Sequence, residues 1–265
     1  MCLNCHSYHS LRYGTIPLTE LVQLAAACGV KAMALTDINT VTGIYDFIKE
    51  CQAVAIKPII GIEFRYNNKL LYIGLAKNAS GLAEMNRFLT KHNFDKTPLP
   101  AQAPEFHNVS ILYPVENTPD IFRDFEFLGM RPDQLPMLFH PVWKSKLDKM
   151  VALQPVTFRT KKEFNLHKIL RAIDTNVILS KLTEADYCRT SETMIPLEEL
   201  LGKFSDYTQI IENTECIIAE CNFEFQFKTP KNKTYYTDSG ENDMQLLTSL
   251  AHEGMLKIYG NTNLL

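Results

Sequence analysis

Residues 17–64 read PLTELVQLAAACGVKAMALTDINTVTGIYDFIKECQAVAIKPIIGIEF, and their periodicity decides the fold. Leu21, Val22, Leu24, Ala25 and Cys28 lie on one helical face, with Thr19 as the expected N-cap and Gly29 just past the helix end. KAMALTD (31–37) then reads as a short buried strand, TGIYDFIKECQAVA (42–55) as a second amphipathic helix, and KPIIGIEF (57–64) as another strand. With LNC (3–5) ahead of it, the order is β-α-β-α-β, the pattern of a parallel sheet with helices outside.

The alternation continues beyond residue 64. RYNNKLLYIGLA (65–76) has an Asn-Asn turn between two strand-like halves, SGLAEMNRFLTKH (80–92) is helical, and NVSILYP (108–114) is a strand after the Pro-rich loop 97–105. A helix near 118–127 and a strand near 135–140 are expected next. KMVALQPVTF (149–158) reads as a strand interrupted by Pro155, and FNLHKILRAIDTN (164–176) as an amphipathic helix. Alternation over this length predicts an α/β barrel.

Beyond residue 183 the signal is helical, over 196–204 and 205–221, followed by a polar linker (229–242) and a helix over 243–260. The expected organisation is a barrel over 1–183, a helical segment over 184–228 that completes it, and a linker with one helix over 229–265. The chain stops at NTNLL without a closing element, as a fragment with a missing continuation would.

Composition narrows the function. Hydrophobic residues make up 46% of the 265, and 27 Lys and Arg against 30 Asp and Glu give a net charge of -3. A free-standing nucleic-acid binder would carry a basic excess. No apolar run approaches the roughly 20 residues that span a bilayer, and no export signal precedes the first strand, so a cytoplasmic protein without membrane contact is expected.

The opening Cys2-Leu-Asn-Cys5-His6 has the letters of a haem-attachment motif, but that chemistry needs export. Seven scattered cysteines read as reduced thiols. Three residues apart on an extended strand, Cys2 and Cys5 are expected on opposite faces, which excludes a shared metal.

NCHSYHSLRYGTIPLTELVQLAAACGVKAMALTDINTVTGIYDFIKE, followed by AIKPIIGIEF, closely resembles the start of the PHP (polymerase and histidinol phosphatase) domain family found in bacterial DNA polymerase III alpha subunits. LAKNASGLAEMNRFL, FNLHKILRAIDTN and LAHEGMLKIYG resemble later landmarks of that subunit in the same order. The resemblance covers nearly the whole chain. It implies a distorted (β/α)7 barrel with a C-terminal helical extension, in a parent DNA-directed DNA polymerase that uses Mg on carboxylates downstream of residue 265. It also implies the proofreading exonuclease and other replisome subunits as partners, with DNA met through the parent polymerase.

Catalytically competent PHP domains hold about three metal ions at the strand ends on His, Asp and Glu, which activate water against a phosphate ester. Here the first motif, H-x-H, is Asn4-Cys5-His6, and Tyr13 replaces the Asp before Gly14. T-D-H is Thr36-Asp37-Ile38, the acid after the third strand is kept as Glu63, and the final D-x-H is Pro155-Val156-Thr157. A later Cys or His position falls near Leu112 or Tyr113, and His92 is an outlying fourth candidate beside His6, Asp37 and Glu63. The pocket of Asn4, His6, Asp37, Ile38, Glu63, Pro155 and Thr157 is thus read as vestigial, with no metal and no catalytic residue expected in this chain. His6 is read as a hydrogen-bonded pocket residue and His167 as structural. The rival reading is a metal-dependent phosphoesterase or 3′–5′ proofreading exonuclease working through a reduced site.

Residues 140–172 hold eight Lys and Arg against two acidic residues. Arg159, Lys161, Lys162, Lys168 and Arg171 form either a solvated face or a patch for nucleic acid or a partner.

Overall fold

The structure, a computed structural model, describes residues 1–227, 229 and 232–260. The expected tail 261–265, with Lys228, Pro230 and Lys231 around the expected linker, lies outside the described residues. The chain divides into two compact units, 1–224 and 225–265.

In the first unit the strands are β1 (Cys2–Cys5), β2 (Ala32–Leu35), β3 (Lys57–Tyr66), β4 (Lys69–Ala76), β5 (Val109–Pro114), β6 (Glu126–Met130), β7 (Met150–Ala152) and β8 (Pro155–Val156). Helices α1 (Leu18–Ala27), α2 (Ile44–Ala53), α3 (Ala79–Asp95), α4 (Pro141–Lys144), α5 (Lys161–Thr175), α6 (Leu197–Lys203) and α7 (Thr208–Glu220) accompany them. The sheet order is β7-β6-β5-β4-β3-β2-β1-β8. β4 pairs antiparallel with β3, through the Asn67-Asn68 turn, and with β5; every other neighbouring pair is parallel. Seven strands therefore share one direction.

The two edge strands prove closure. β7 and β8 stand at opposite ends of the order, yet only Leu153 and Gln154 separate them in the chain. That link spans at most about 11 Å, so the sheet curls until its edges meet, as a barrel. The short gap is sealed by side chains. Thr214 of α7 accepts from the Ala152 amide at 2.8 Å, and Gln154 Nε2 donates to the Ser191 and Thr193 carbonyls at 2.9 and 3.0 Å. Inside, Leu3, Ala34, Ile59, Ile73, Leu75, Leu112, Val151 and Leu153 form one core, with Ile217 of α7 and its C-cap Cys221 packed into it.

Several boundaries differ from the sequence reading. α1 begins at Leu18 with Pro17 as N-cap, so Thr19 lies in the first turn; Gly29, at φ 72°, does terminate it. α5 begins three residues before Phe164, capped by Thr160, because its first turn faces solvent and carries no apolar signal. No helix forms over 118–127. That loop is pinned instead, with the Arg123 amide on Glu126 Oε2 at 2.8 Å, and β6 follows. The strand expected at 135–140 is 3-10 helix over Pro132–Phe139, where Pro132 and Pro136 lack the donors a ladder needs.

β1 overturns the expectation for its cysteines. A register shift falls between Cys2 and Cys5, so Leu3 joins the interior core while Asn4 also turns inward to Glu63. The bulge leaves both thiols buried and close enough to influence each other's ionisation. Burial raises the Cys5 thiol pKa well above the ordinary value.

In the second unit, α8 (Gly240–Tyr259) is capped by Ser239, whose hydroxyl accepts from the Asn242 amide at 3.2 Å. Asp243 in its first turn ties down the preceding loop by accepting from the Tyr236 and Thr237 amides. Among the described residues no helix is long and apolar enough to cross a membrane.

Candidate functional site at the barrel mouth

The C-terminal strand ends bring Asn4, His6, Asp37, Glu63 and Thr157 into one buried polar cluster. β1 presents Asn4 and His6, β3 presents Glu63, and the segment after β8 presents Thr157. Gly14 makes the return loop possible: a Cβ there would lie 1.8 Å from the Ser7 carbonyl oxygen.

Glu63 is the hub. Its Oε2 accepts from Asn4 Nδ2 at 2.9 Å and from His6 Nε2 at 3.0 Å. Its Oε1 accepts from Arg65 Nε, and Arg65 Nη2 reaches the Tyr13 hydroxyl at 2.9 Å. Full burial opposes the charge, but Arg65 and His6, with the bonds from His6 and Asn4, hold the Glu63 pKa down to about 2.

Both ring nitrogens of His6 are engaged: Nδ1 lies 3.0 Å from the Thr157 hydroxyl, which donates to Glu192 Oε2 at 2.9 Å, and Nε2 lies 3.0 Å from Glu63 Oε2.

Asp37 is similarly engaged. Oδ1 accepts from the Ser7 amide at 2.7 Å and the Ser10 hydroxyl at 2.6 Å, and Oδ2 from the Ser7 hydroxyl at 2.8 Å. Burial nevertheless raises its pKa. Ile38 packs with Tyr13, Phe158 and Cys188. Pro155 pairs with Asn4 in the β1–β8 ladder and contributes no side-chain donor.

These residues do not fit a bridged metal cluster. Both oxygens of Glu63 and both of Asp37 already accept from protein donors, and among the described residues no three His, Cys, Asp or Glu converge on a point. The cavity bounded by Asn4, His6, Glu63 and Arg65 is about 30 Å³, room for one water. His92, considered as an outlying ligand, is elsewhere, bonded to Thr97 from α3. Leu112 lies in the barrel core, and Tyr113 donates to Glu126 at 2.9 Å.

Sequence reasoning missed Arg65, Glu192 and the two serines. Arg65 had a readable signal, since two residues beyond Glu63 on a strand is the same face. Glu192 had none, because it comes from a loop 35 residues after Thr157 in the chain.

His167 anchors the return loop behind Tyr13. Its Nδ1 donates to the Tyr13 carbonyl at 2.7 Å, its Nε2 accepts from the Cys188 amide at 3.0 Å, and burial lowers its pKa to about 4.

The basic stretch does not form one patch. Arg159 is ion-paired with Glu20 and Glu163, Arg171 is buried against Asp174, and Lys168 lies over the Tyr187 ring. Lys161 and Lys162 stand exposed at the start of α5. Beyond them the surface of α5 turns apolar: Leu166, Ile169 and Ile173 are exposed, continuing into Ile178 and Leu179.

The structure thus combines a barrel of seven co-directional strands and one reversed hairpin strand with His6, Asp37 and Glu63 at its mouth. Residues 3–118 match the PHP domain. Over most of its length the chain is homologous to the N-terminal region of DNA polymerase III alpha subunits. It is 22% identical to the error-prone DNA polymerase of Symbiobacterium thermophilum, covering 97% of this chain and 28% of the relative. The alpha subunit of Halalkalibacterium halodurans is 21% identical over 97% and 26%, and that of Staphylococcus aureus 24% over 92% and 23%. The chain spans about a quarter of the length of these relatives. Among solved structures, an amidohydrolase from Chromobacterium violaceum is 21% identical over 36% of this chain and 34% of its own, at a TM-score of 0.30, an overlap too small to bear on the fold.

Proposed function

We propose that this chain is the N-terminal PHP domain of a replicative DNA polymerase III alpha subunit, acting in the cytoplasm as a scaffold whose phosphoesterase centre is silent. The Glu63–Arg65 pair carries the reading: a guanidinium supplies from within the positive charge that bound metal ions supply in competent relatives. Polymerisation, with Mg on downstream carboxylates, belongs to the parent protein. The domain stabilises that polymerase and offers a docking surface to replisome partners, foremost the proofreading exonuclease subunit. The exposed apolar face of α5 supports docking, since a soluble surface rarely leaves such a face uncovered.

Elemental analysis of the purified chain, with hydrolysis of a 3′-labelled DNA strand measured with and without Mn or Zn, tests the proposal. We expect substoichiometric metal and no metal-dependent cleavage. Stoichiometric metal with cleavage would establish the rival phosphoesterase or 3′–5′ exonuclease reading instead.

A further inference from the structure

Beside the barrel mouth, a cleft of about 530 Å³ opens where β6 and β7 end, within the roughly 300–1,000 Å³ of small-molecule sites. The parallel pairing of those strands runs on through the Leu153 amide, which donates to the Met130 carbonyl at 2.9 Å, so the residues that follow on both strands border the same cleft. Pro132, Leu135, Pro155 and Ile195 give it an apolar wall. Leu135 and Ile195 are backed by the buried cluster around Leu128 and Phe204, which makes that wall preformed. Glu63, His6 and Asn4 do not line it.

Gln154 is the informative member. It is 7% exposed, and its amide orientation is fixed because Nε2 donates to the Ser191 and Thr193 carbonyls at 2.9 and 3.0 Å. Nothing among the described residues donates to its Oε1, and unlike the sealed Tyr72 and Ser110 hydroxyl oxygens that atom keeps accessible surface. An acceptor this deeply placed gains from a donor delivered through the cleft that Gln154 borders. The hydroxyls of Ser191 and Thr193, on the same lining, also have no partner among the described residues. The charges around the rim are matched: Arg131 and Arg189 pair with Glu116 and Asp133, and Lys203 with Glu199. A charged ligand therefore meets no uncompensated counter-charge, whereas a neutral one bearing an N–H meets a free acceptor beside two free hydroxyls.

We propose that this cleft binds a neutral nucleobase of the uracil or thymine class, with Gln154, Ser191 and Thr193 as its polar contacts. The edge of such a base is an N–H flanked by two carbonyls, the complement of one amide oxygen with two hydroxyl donors. Its flat face suits a wall built from proline, leucine and isoleucine side chains. The inference does not depend on the scaffold reading, because Pro155 is the one residue of the former metal motif that borders the cleft, and it contributes only apolar surface.

The test is calorimetric titration of the 265-residue chain with uridine, N3-methyluridine and uridine monophosphate. Saturable uridine binding is expected, weakened roughly tenfold in N3-methyluridine, whose methyl group removes the only N–H of the base and so probes Gln154 without altering the protein. The monophosphate should bind with the affinity of uridine, because no unpaired cation awaits its charge. Ser191→Ala/Thr193→Val deletes two hydroxyls that bond nothing within the protein, so the unfolding midpoint should hold while uridine affinity falls about fivefold. Absence of saturable uridine binding, equal binding of N3-methyluridine, a monophosphate bound about tenfold tighter than uridine, or unchanged uridine affinity in the double variant overturns the proposal.

Discussion

Arg65 donates from Nε to Oε1 of Glu63, two residues earlier on the same strand, and its guanidinium carbon lies 4.2 Å from the centroid of the Tyr13 ring. The pair is intrastrand, whereas Tyr13 arrives from the loop after β1. Desolvation opposes both charges, and each raises the other's preference for ionisation.

Removing one partner should therefore cost more than removing both. Arg65→Gln strands a buried carboxylate and is expected to destabilise by about 3–5 kcal/mol. Glu63→Gln/Arg65→Gln should cost clearly less than the sum of the single changes. Urea unfolding of the four-member cycle checks this, and additivity would show that the pair is not coupled.

Stability should fall in two steps on acidification. His167 has a folded pKa of about 4 against an ordinary 6.5, so the unfolded chain takes up its proton first, and stability on the order of 3 kcal/mol is lost as pH falls from about 6.5 to 4. Glu63, at about 2 against an ordinary 4.5, loses its contribution between those values. Asp37, with a raised pKa, acts in the opposite sense. Urea-unfolding free energies across about pH 3–7 should show the upper slope flattened in His167→Asn and retained in Glu63→Gln.

Placing imidazoles at positions 4 and 38 should not by itself create a metal site. In Asn4→His/Ile38→His, Arg65 still occupies Glu63, and calorimetric titration with Zn should show no gain over the parent chain. Adding Arg65→Ser should produce measurable binding, because it returns an acceptor oxygen and the Arg65 volume to the site. Binding in the two-residue variant would contradict the role given to Arg65.

The α5 face should matter to association more than to folding. Ile169→Glu/Ile173→Glu places charge on side chains 47% and 60% exposed, so the unfolding midpoint should change little. Affinity for the proofreading exonuclease subunit should drop at least tenfold in a pull-down titration or calorimetry. An unchanged affinity would move the docking surface elsewhere on the domain.

Much of the barrel was legible because its signals are local. Apolar runs at 31–37 and 57–64 between helical stripes specify β2 and β3 whatever surrounds them, and the Asn-Asn pair announces the β3–β4 hairpin. The stretch from 118 to 140 was misread because its conformation is set from outside: Glu126 pins the loop through Arg123, and two prolines divert the chain into 3-10 turns. The β1 bulge was equally hidden, since pairing with β2 shifts the register while the letters CLNC still read as an uninterrupted strand.

The same division holds at the site. By itself the sequence supplied the motif order, and with it the expectation that Asn4, Ile38 and Thr157 stand where the family it resembles has metal ligands. Only the tertiary structure decided what became of the ones that remain. His6, Asp37 and Glu63 are spent on Thr157, Ser7, Ser10 and Arg65, partners drawn from separate parts of the chain, and hydrogen-bond saturation is a property of distances that no one-dimensional spacing contains.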